Sequence, residues 1–433
     1  MEGTKINKSK IAGIALLLIL ATNICMLTLV RPCEAAYSPA LIAELGEAST
    51  VLIYSQIAAN VKVPIPDANW NPTNNYYPLV AIAVGAWSSG FFVNSNGYIV
   101  TAGHSLFCFT HTDFTQDLYT KQLVVIVSFL TILAAYELAG YHFTPEEQTL
   151  LQTYMQTYAT LQDSIRLVYA VLGEVKATLT EVQTKGWTAR VVAVSPYIER
   201  DTAILKVEFS NCPILKVGDS YKVMTGDNVY MFGFPSVVTF HSELGPETTL
   251  APSMTNGIIS AKRLTNFQTP CFQTSALITH GNSGGPGLND DGEAVGICSR
   301  GSITETGQEV AGFDFLIQSK VVQSFLTENS VSNEKGPVDD AFLRGLNYFY
   351  AKHYSAAKAE FDTASGLFAY HWRAKDLILE CNAAIARGED VSLSSFTIET
   401  WMIIGVFIVV AVAVAIIAIS LVLRRKSKIA LVT

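Results

Sequence analysis

Residues 89–104 read SGFFVNSNGYIVTAGH. An apolar run, Phe91-Phe92-Val93, is followed by Asn96-Gly97 and a second run, Tyr98-Ile99-Val100. Asn-Gly between two such runs is a strong short-range hairpin signal, because its residues accept the backbone angles of a tight turn. The stretch therefore predicts strand, turn, strand, with His104 just past the second strand's end. Two later stretches complete the pattern. DTAILKV (201–207) puts Asp201 at the start of an apolar strand, and GNSGGP (281–286) puts Ser283 inside a glycine-rich turn.

These residue types in this order point to acyl transfer. A serine hydroxyl is a poor nucleophile near neutral pH, so an imidazole must take its proton and a carboxylate must fix that imidazole's tautomer. His104, Asp201 and Ser283 fill those roles. The tetrahedral oxyanion needs N–H donors aimed at one point. Small residues around Ser283 let the chain curl so that the N–H groups of Gly281 and Ser283 converge there. The order His, Asp, Ser is one of several known for this chemistry.

The stretches SGFFVNSNGYIVTAGH, DTAILKV, CPILKVGDS, TNGIIS, TSALITHGNSGGP and GFDFLI, in this order, resemble the HtrA (Deg) branch of trypsin-like serine proteases. The resemblance spans about 80–108 and 190–325. It implies a mainly β fold of two antiparallel six-stranded β-barrels, with His104 as general base, Asp201 as its orienter and Ser283 as nucleophile. It also implies endopeptidase activity on exposed or misfolded polypeptide segments. The chain departs from the family pattern in several places. The interval between His104 and Asp201 is 96 residues, far longer than usual. No PDZ domain is visible, Gly287 stands where Leu is common, and His280 stands where Pro is common.

Counting back from Ser283 places Leu277 at the base of the primary specificity pocket, with Ile278, His280 and the strand Phe313–Ile317, including Phe315 and Leu316, around it. An apolar base favours an apolar residue before the cut. Asp314 would complicate this if it pointed inward, but it is expected to face solvent on an alternating strand.

The net charge of −8 argues against nucleic acid as a partner, since phosphate binding needs a basic face. The histidines show no metal-ligand spacing, so no metal or other cofactor is expected. Seven cysteines without a CxxC pair leave disulfides and buried thiols as equal alternatives.

Both ends predict membrane segments. Lys5, Lys8 and Lys10 precede an uncharged run from Ile11 to Val30, so residues 1–36 read as a signal peptide or an N-terminal anchor. Trp401–Leu423 carries no charge and is followed by Arg424, Arg425, Lys426 and Lys428. That is a transmembrane helix over about 400–423 with a basic cytoplasmic tail at 424–433, which leaves the protease domain, 37–328, outside the cytoplasm.

Within that domain, residues 48–108 and 187–328 have the short apolar runs and turn residues of an all-β structure. Residues 113–182 read instead as a helical hairpin insertion. Thr144-Pro145-Glu146-Glu147 is a helix start. The alternating spacing of Leu151, Tyr154, Tyr158, Leu161, Ile165, Val168, Leu172, Val175, Leu179 and Val182 predicts a coiled-coil seam over 151–182. That seam packs on the apolar 123–138 helix or joins copies into a homo-oligomer. Residues 338–388 are helical, with Gly345, Tyr348, Tyr354, Ala357, Phe361 and Ala364 resembling one tetratricopeptide unit. The alternative to an enzyme is a catalytically silent membrane-anchored scaffold that binds through these helical parts.

Overall fold

The computed structural model describes residues 37–109, 118–173, 178–239, 251–303 and 309–392. Both apolar terminal runs lie outside them. Among the described residues no helix is long and apolar enough to cross a membrane. The chain divides into two compact units. One runs to Asp340 and includes Ala364–Ala374, and the other comprises Ala341–Thr363 and the residues from Lys375 onward.

The first unit opens with helix α1 (Pro39–Ser49), capped by Ser38, whose hydroxyl accepts the Leu41 N–H. Its Ile42 is buried, and a side chain in place of Gly46 would run into the Phe232 ring. Strands β1 (Thr50–Lys62), β2 (Pro64–Pro66), β3 (Pro72–Tyr76), β4 (Val80–Asn94) and β5 (Tyr98–Thr101) follow, then a 3-10 turn (Gly103–Phe109). The hairpin between β4 and β5 closes as its sequence predicts. Gly97 has φ +88 and donates its N–H to the Asn94 carbonyl at 3.0 Å.

The insertion supplies helices α2 (Leu118–Leu138) and α3 (Pro145–Tyr158), then β6 (Thr160–Val171) and α4 (Leu179–Lys185). Strands β7 (Trp187–Thr188), β8 (Arg190–Ser195) and β9 (Thr202–Lys206) complete a seven-stranded sheet in the order β7-β6-β1-β4-β5-β9-β8. Next come β10 (Asn228–Gly233), the short helix α5 (Ser236–Thr239), β11 (Ser253–Leu264), β12 (Pro270–Thr274), β13 (Pro286–Leu288), β14 (Ala294–Ile303) and β15 (Glu309–Gln318). These six strands form a closed barrel, β10-β11-β12-β15-β14-β13. Of the two barrels expected, then, one is closed and the other is an open sheet. Helix α6 (Ser319–Glu328) buries Val322, Phe325 and Leu326 into a core shared by sheet and barrel through Phe91, Val100, Ile204, Phe232 and Ile297.

The burial pattern of the two longest strands explains the sheet's shape. From Ser88 to Asn94, β4 is buried at every position, but from Val80 to Gly85 only Val80, Ile82 and Val84 are buried. Continuous burial marks a strand covered on both faces, whereas alternation marks one covered on a single face. The alternating half extends past the shared core and pairs with the far half of β1, Ile57 opposite Val84 and Val61 opposite Val80. Its apolar face receives Val124, Val125, Phe129 and Ile132 of α2 with Leu151, Tyr154 and Met155 of α3, a separate small core.

The predicted start of α3 is present as a complete capping box between Thr144 and Glu147. The predicted coiled-coil seam is not. The helix stops at Tyr158, Ala159 turns extended (φ −68, ψ 136), and residues 160–171 form β6 along β1. Without β6 the 13-residue β1 would expose a row of unpaired N–H and C=O groups. That ladder outweighs the helical spacing in a stretch containing Ile165, Val168 and Val171, which suit a strand. The homo-oligomer expected through the 151–182 helix loses its basis with the seam.

Cys212, Cys298 and Cys381 are buried free thiols, so the disulfide alternative fails for these three. At the C-terminal end, α7 (Pro337–Tyr350), α8 (Tyr354–Leu367) and α9 (Trp372–Ala386) are helical as expected. Gly345 of α7 lies against the Phe361 ring of α8, where a Cβ would clash, and Phe342 meets the same ring at 5.7 Å.

Asp339 is half-buried, and its carboxylate accepts the N–H groups of Ile214 and Gly336, each at 2.7 Å. Burial outweighs those bonds and pushes its pKa up from 3.8 to about 6. Between those values the folded protein holds a proton that the unfolded chain has released, so stability falls as pH rises through this window. Urea unfolding from pH 4 to pH 7 should show that slope, and Asp339→Asn should flatten it. Phe129→Ala should cost about 3–5 kcal/mol in the small core, read as a lowered unfolding midpoint.

Candidate active site

His104 and Asp201 meet at the end of the open sheet. His104 leaves β5 at the 3-10 turn, and Asp201 immediately precedes β9, which pairs with β5 in register. Asp201 has φ +46, a left-handed conformation that Asp tolerates better than most residues. Its N–H donates to the Pro196 carbonyl at 3.1 Å, which closes the turn before it.

The Asp201 carboxylate is 0% exposed. Nδ1 of His104 lies 3.0 Å from both of its oxygens, and the His104 backbone N–H donates to Oδ1 at 2.9 Å. The Ser299 hydroxyl of β14 donates to Oδ2. Burial pushes this carboxyl up, but the His104 charge and the bonds from His104 and Ser299 outweigh it and hold the group below the usual range. With Nδ1 committed to the carboxylate as donor, Nε2 is left as the basic nitrogen. The Tyr197 ring meets the imidazole edge-on at 5.8 Å.

The Ser283 turn is fixed from three sides. Gly284 donates its N–H to the Cys298 carbonyl at 2.7 Å, and the Cys298 N–H returns to the Gly285 carbonyl at 2.8 Å. The buried Ser89 of β4 donates its N–H to the Ser283 carbonyl at 2.8 Å and its hydroxyl to the Gly281 carbonyl at 2.7 Å. Its hydroxyl also accepts the Phe234 N–H at 2.9 Å. Gly284 (φ +84) sits so close that a Cβ would collide with the Ser89 carbonyl and the Thr101 hydroxyl. Gly281 (φ +99) would collide with the Phe234 carbonyl. The Ser283 backbone is thereby held against the strands that carry His104. Among the described residues no backbone carbonyl takes the N–H of Gly281 or Ser283, and no hydrogen bond joins the Ser283 hydroxyl to His104.

The residues expected to line the pocket separate. Leu277 is 45% exposed, Ile278 is buried and His280 is exposed beside the turn. Leu316 is fully buried with Phe272 and Cys298 in the barrel interior, and Phe315 packs against the shared core. Asp314 contradicts its expected solvent orientation, because it is buried and accepts the Ile278 N–H at 3.0 Å. On β15 its neighbours Phe313 and Phe315 are more exposed than it, whereas Leu316, Ile317 and Gln318 are all buried, so the strand is covered on both faces beyond Phe315. Ser299 and Ser89 escaped the sequence reading. Neither carries a motif of its own, although Ser89 opens the stretch quoted first.

Residues 88–297 match the family model of the trypsin-like peptidase domain. A "Probable periplasmic serine endoprotease DegP-like" of Pseudomonas putida (strain GB-1) is 40% identical over 115 residues, 26% of this chain and 21% of the relative. "Serine protease HTRA2, mitochondrial" of Drosophila pseudoobscura pseudoobscura is 33% identical over 143 residues, 31% of this chain and 29% of the relative. The chain thus spans under a third of the length of these curated relatives. Among solved structures, "HtrA-type protease AlgW with decapeptide" overlaps with a TM-score of 0.38 at 18% identity, over 68% of this chain and 67% of that one.

The Ser299 bond makes a prediction of its own. Ser299→Ala leaves a buried carboxylate short of one donor, which typically costs about 1.5–3 kcal/mol. Urea unfolding at neutral pH should show that loss.

Proposed function

We propose that this chain is a membrane-anchored, extracytoplasmic serine endopeptidase that cleaves polypeptides through an acyl-enzyme. The observation that carries the reading is the buried, charged Asp201 carboxylate gripping Nδ1 of His104 beside the anchored Ser283 turn. The match of residues 88–297 to the trypsin-like peptidase domain supports it.

In this mechanism the Ser283 hydroxyl attacks the scissile carbonyl while Nε2 of His104 takes its proton. The N–H groups of Gly281 and Ser283 receive the oxyanion. His104 then gives the proton to the leaving amine, and the Asp201 charge stabilises the imidazolium between the two transfers. Water repeats the sequence on the acyl-enzyme. The open Ser283–His104 hydrogen bond fits a resting site, since such bonds commonly tighten only with substrate in place. Leu277, exposed near the Ser283 turn, offers substrate an apolar contact, which favours an apolar residue before the cut, with His280 also exposed beside the turn.

Membrane anchoring rests on the uncharged runs 11–30 and 401–423. The extracytoplasmic assignment rests on the lysines and arginines that flank them. The words "periplasmic" and "mitochondrial" in the relatives' names support a place outside the cytoplasm. A role in protein quality control rests on the resemblance to the HtrA branch alone. The helices from Pro337 to Ala386 then serve as a spacer between the peptidase domain and the bilayer.

A fluorophosphonate probe tests the reading. Wild type should be labelled on Ser283, whereas Ser283→Ala should not be labelled. Asp201→Asn should slow labelling by about 10⁴-fold, the loss typical when the orienting carboxylate is neutralised. Gly281→Ala should also abolish labelling, because its Cβ has no room. A wild-type chain that resists the probe under every condition would favour the catalytically silent scaffold.

A further inference from the structure

A cleft separate from the Ser283 turn opens beside the turn that delivers Asp201. It has a volume of about 640 Å³ and lies between Ile198–Arg200, the β11–β12 connection at Phe267–Pro270, and helix α6 at Lys320 and Ser324. A second hollow of about 330 Å³ shares Tyr221, Pro270 and Lys320 with it and adds Lys262, Arg263 and Leu264. Together they make one continuous groove.

Its charge runs against that of the chain. The protein carries a net −8, yet this groove gathers Lys262, Arg263, Lys320 and Arg200. Arg200 is paired with Glu328, and the Glu199 carboxylate accepts from the Ser195 hydroxyl. Arg263 bonds the neutral Gln273 side chain. Among the described residues neither Lys262 nor Lys320 has a carboxylate partner, and the Lys320 ammonium stands 4.7 Å from the Tyr221 ring centroid. Cationic side chains left without counter-charges repel one another and favour an incoming anion.

The apolar lining is equally exposed. Tyr221 is 74% exposed, and Ile198, Leu264 and Phe267 project in the same way. Exposed aromatic and aliphatic groups beside unpaired lysines match a ligand that offers carboxylates and an apolar side chain together. A polyanion such as a sulfated glycan would satisfy the lysines but leave these side chains in water. A peptide satisfies both.

We propose that this groove is an exosite that binds an acidic polypeptide segment bearing an apolar side chain. It is independent of peptide-bond cleavage. The groove wall also bears on the catalytic groups: the Thr269 hydroxyl donates to the Glu199 carbonyl, and the same turn carries Tyr197 against His104 before it reaches Asp201.

The test uses the full chain in lipid nanodiscs in the Ser283→Ala background, so that no cleavage consumes the probe. Fluorescence anisotropy would follow a short fluorescein-labelled peptide of glutamates around a single phenylalanine. Binding should appear, weaken with added salt and lose about tenfold or more in affinity in Lys262→Glu/Lys320→Glu. It should persist in Lys375→Glu, a charge reversal outside the groove. The same peptide with lysines for glutamates should not bind, and a glutamate peptide without phenylalanine should bind more weakly. Absence of binding, or binding indifferent to the double reversal, overturns the exosite and leaves the peptidase reading untouched. Equal binding of the peptide lacking phenylalanine overturns the apolar half of the recognition.

Discussion

A charge buried without exposure to water is expensive, and the Asp201 carboxylate is such a charge. Its survival depends on donors arriving from separate parts of the fold. The His104 imidazole and backbone come from the end of the open sheet, and the Ser299 hydroxyl comes from the barrel. Neither half satisfies the carboxylate alone. The requirement therefore fixes how sheet and barrel meet, and in meeting it the protein orients an imidazole.

The same junction positions the Ser283 turn, which carries the nucleophile of the proposed mechanism. Ser89 belongs to the sheet, yet its N–H and hydroxyl hold the Ser283 turn, whose other ties run to β14. The glycines at 281 and 284 are needed because the turn lies flat against neighbouring backbone, where a Cβ would collide. The geometry of the proposed site and the packing of the interface are thus one arrangement, with Phe91, Phe232 and Ile297 filling the core behind it.

Local physics explains which parts were legible in the sequence. The Asn96-Gly97 turn, the Thr144 capping box and the placement of His104 and Asp201 at strand ends follow from neighbouring residues alone. The seam over 151–182 does not form because β1, about a hundred residues away, offers residues 160–171 a strand partner that local spacing does not reveal. Asp314 turns inward for a related reason: its carboxylate accepts the Ile278 N–H, a contact outside its own strand. Ser299 and Ser89 act across long separations, where only folding reveals that a hydroxyl meets a buried carboxylate or a tight turn. The long interval between His104 and Asp201 is taken up largely by the sheet extension and its own small core.

The most direct test of the central claim is the low-field proton NMR spectrum of the full chain. A proton held between Nδ1 of His104 and the buried Asp201 carboxylate should resonate far downfield of ordinary amides. It should vanish in both His104→Ala and Asp201→Asn while the amide envelope of the fold is kept. A wild-type spectrum empty in that region across pH, or a signal that survives both substitutions, would contradict the account.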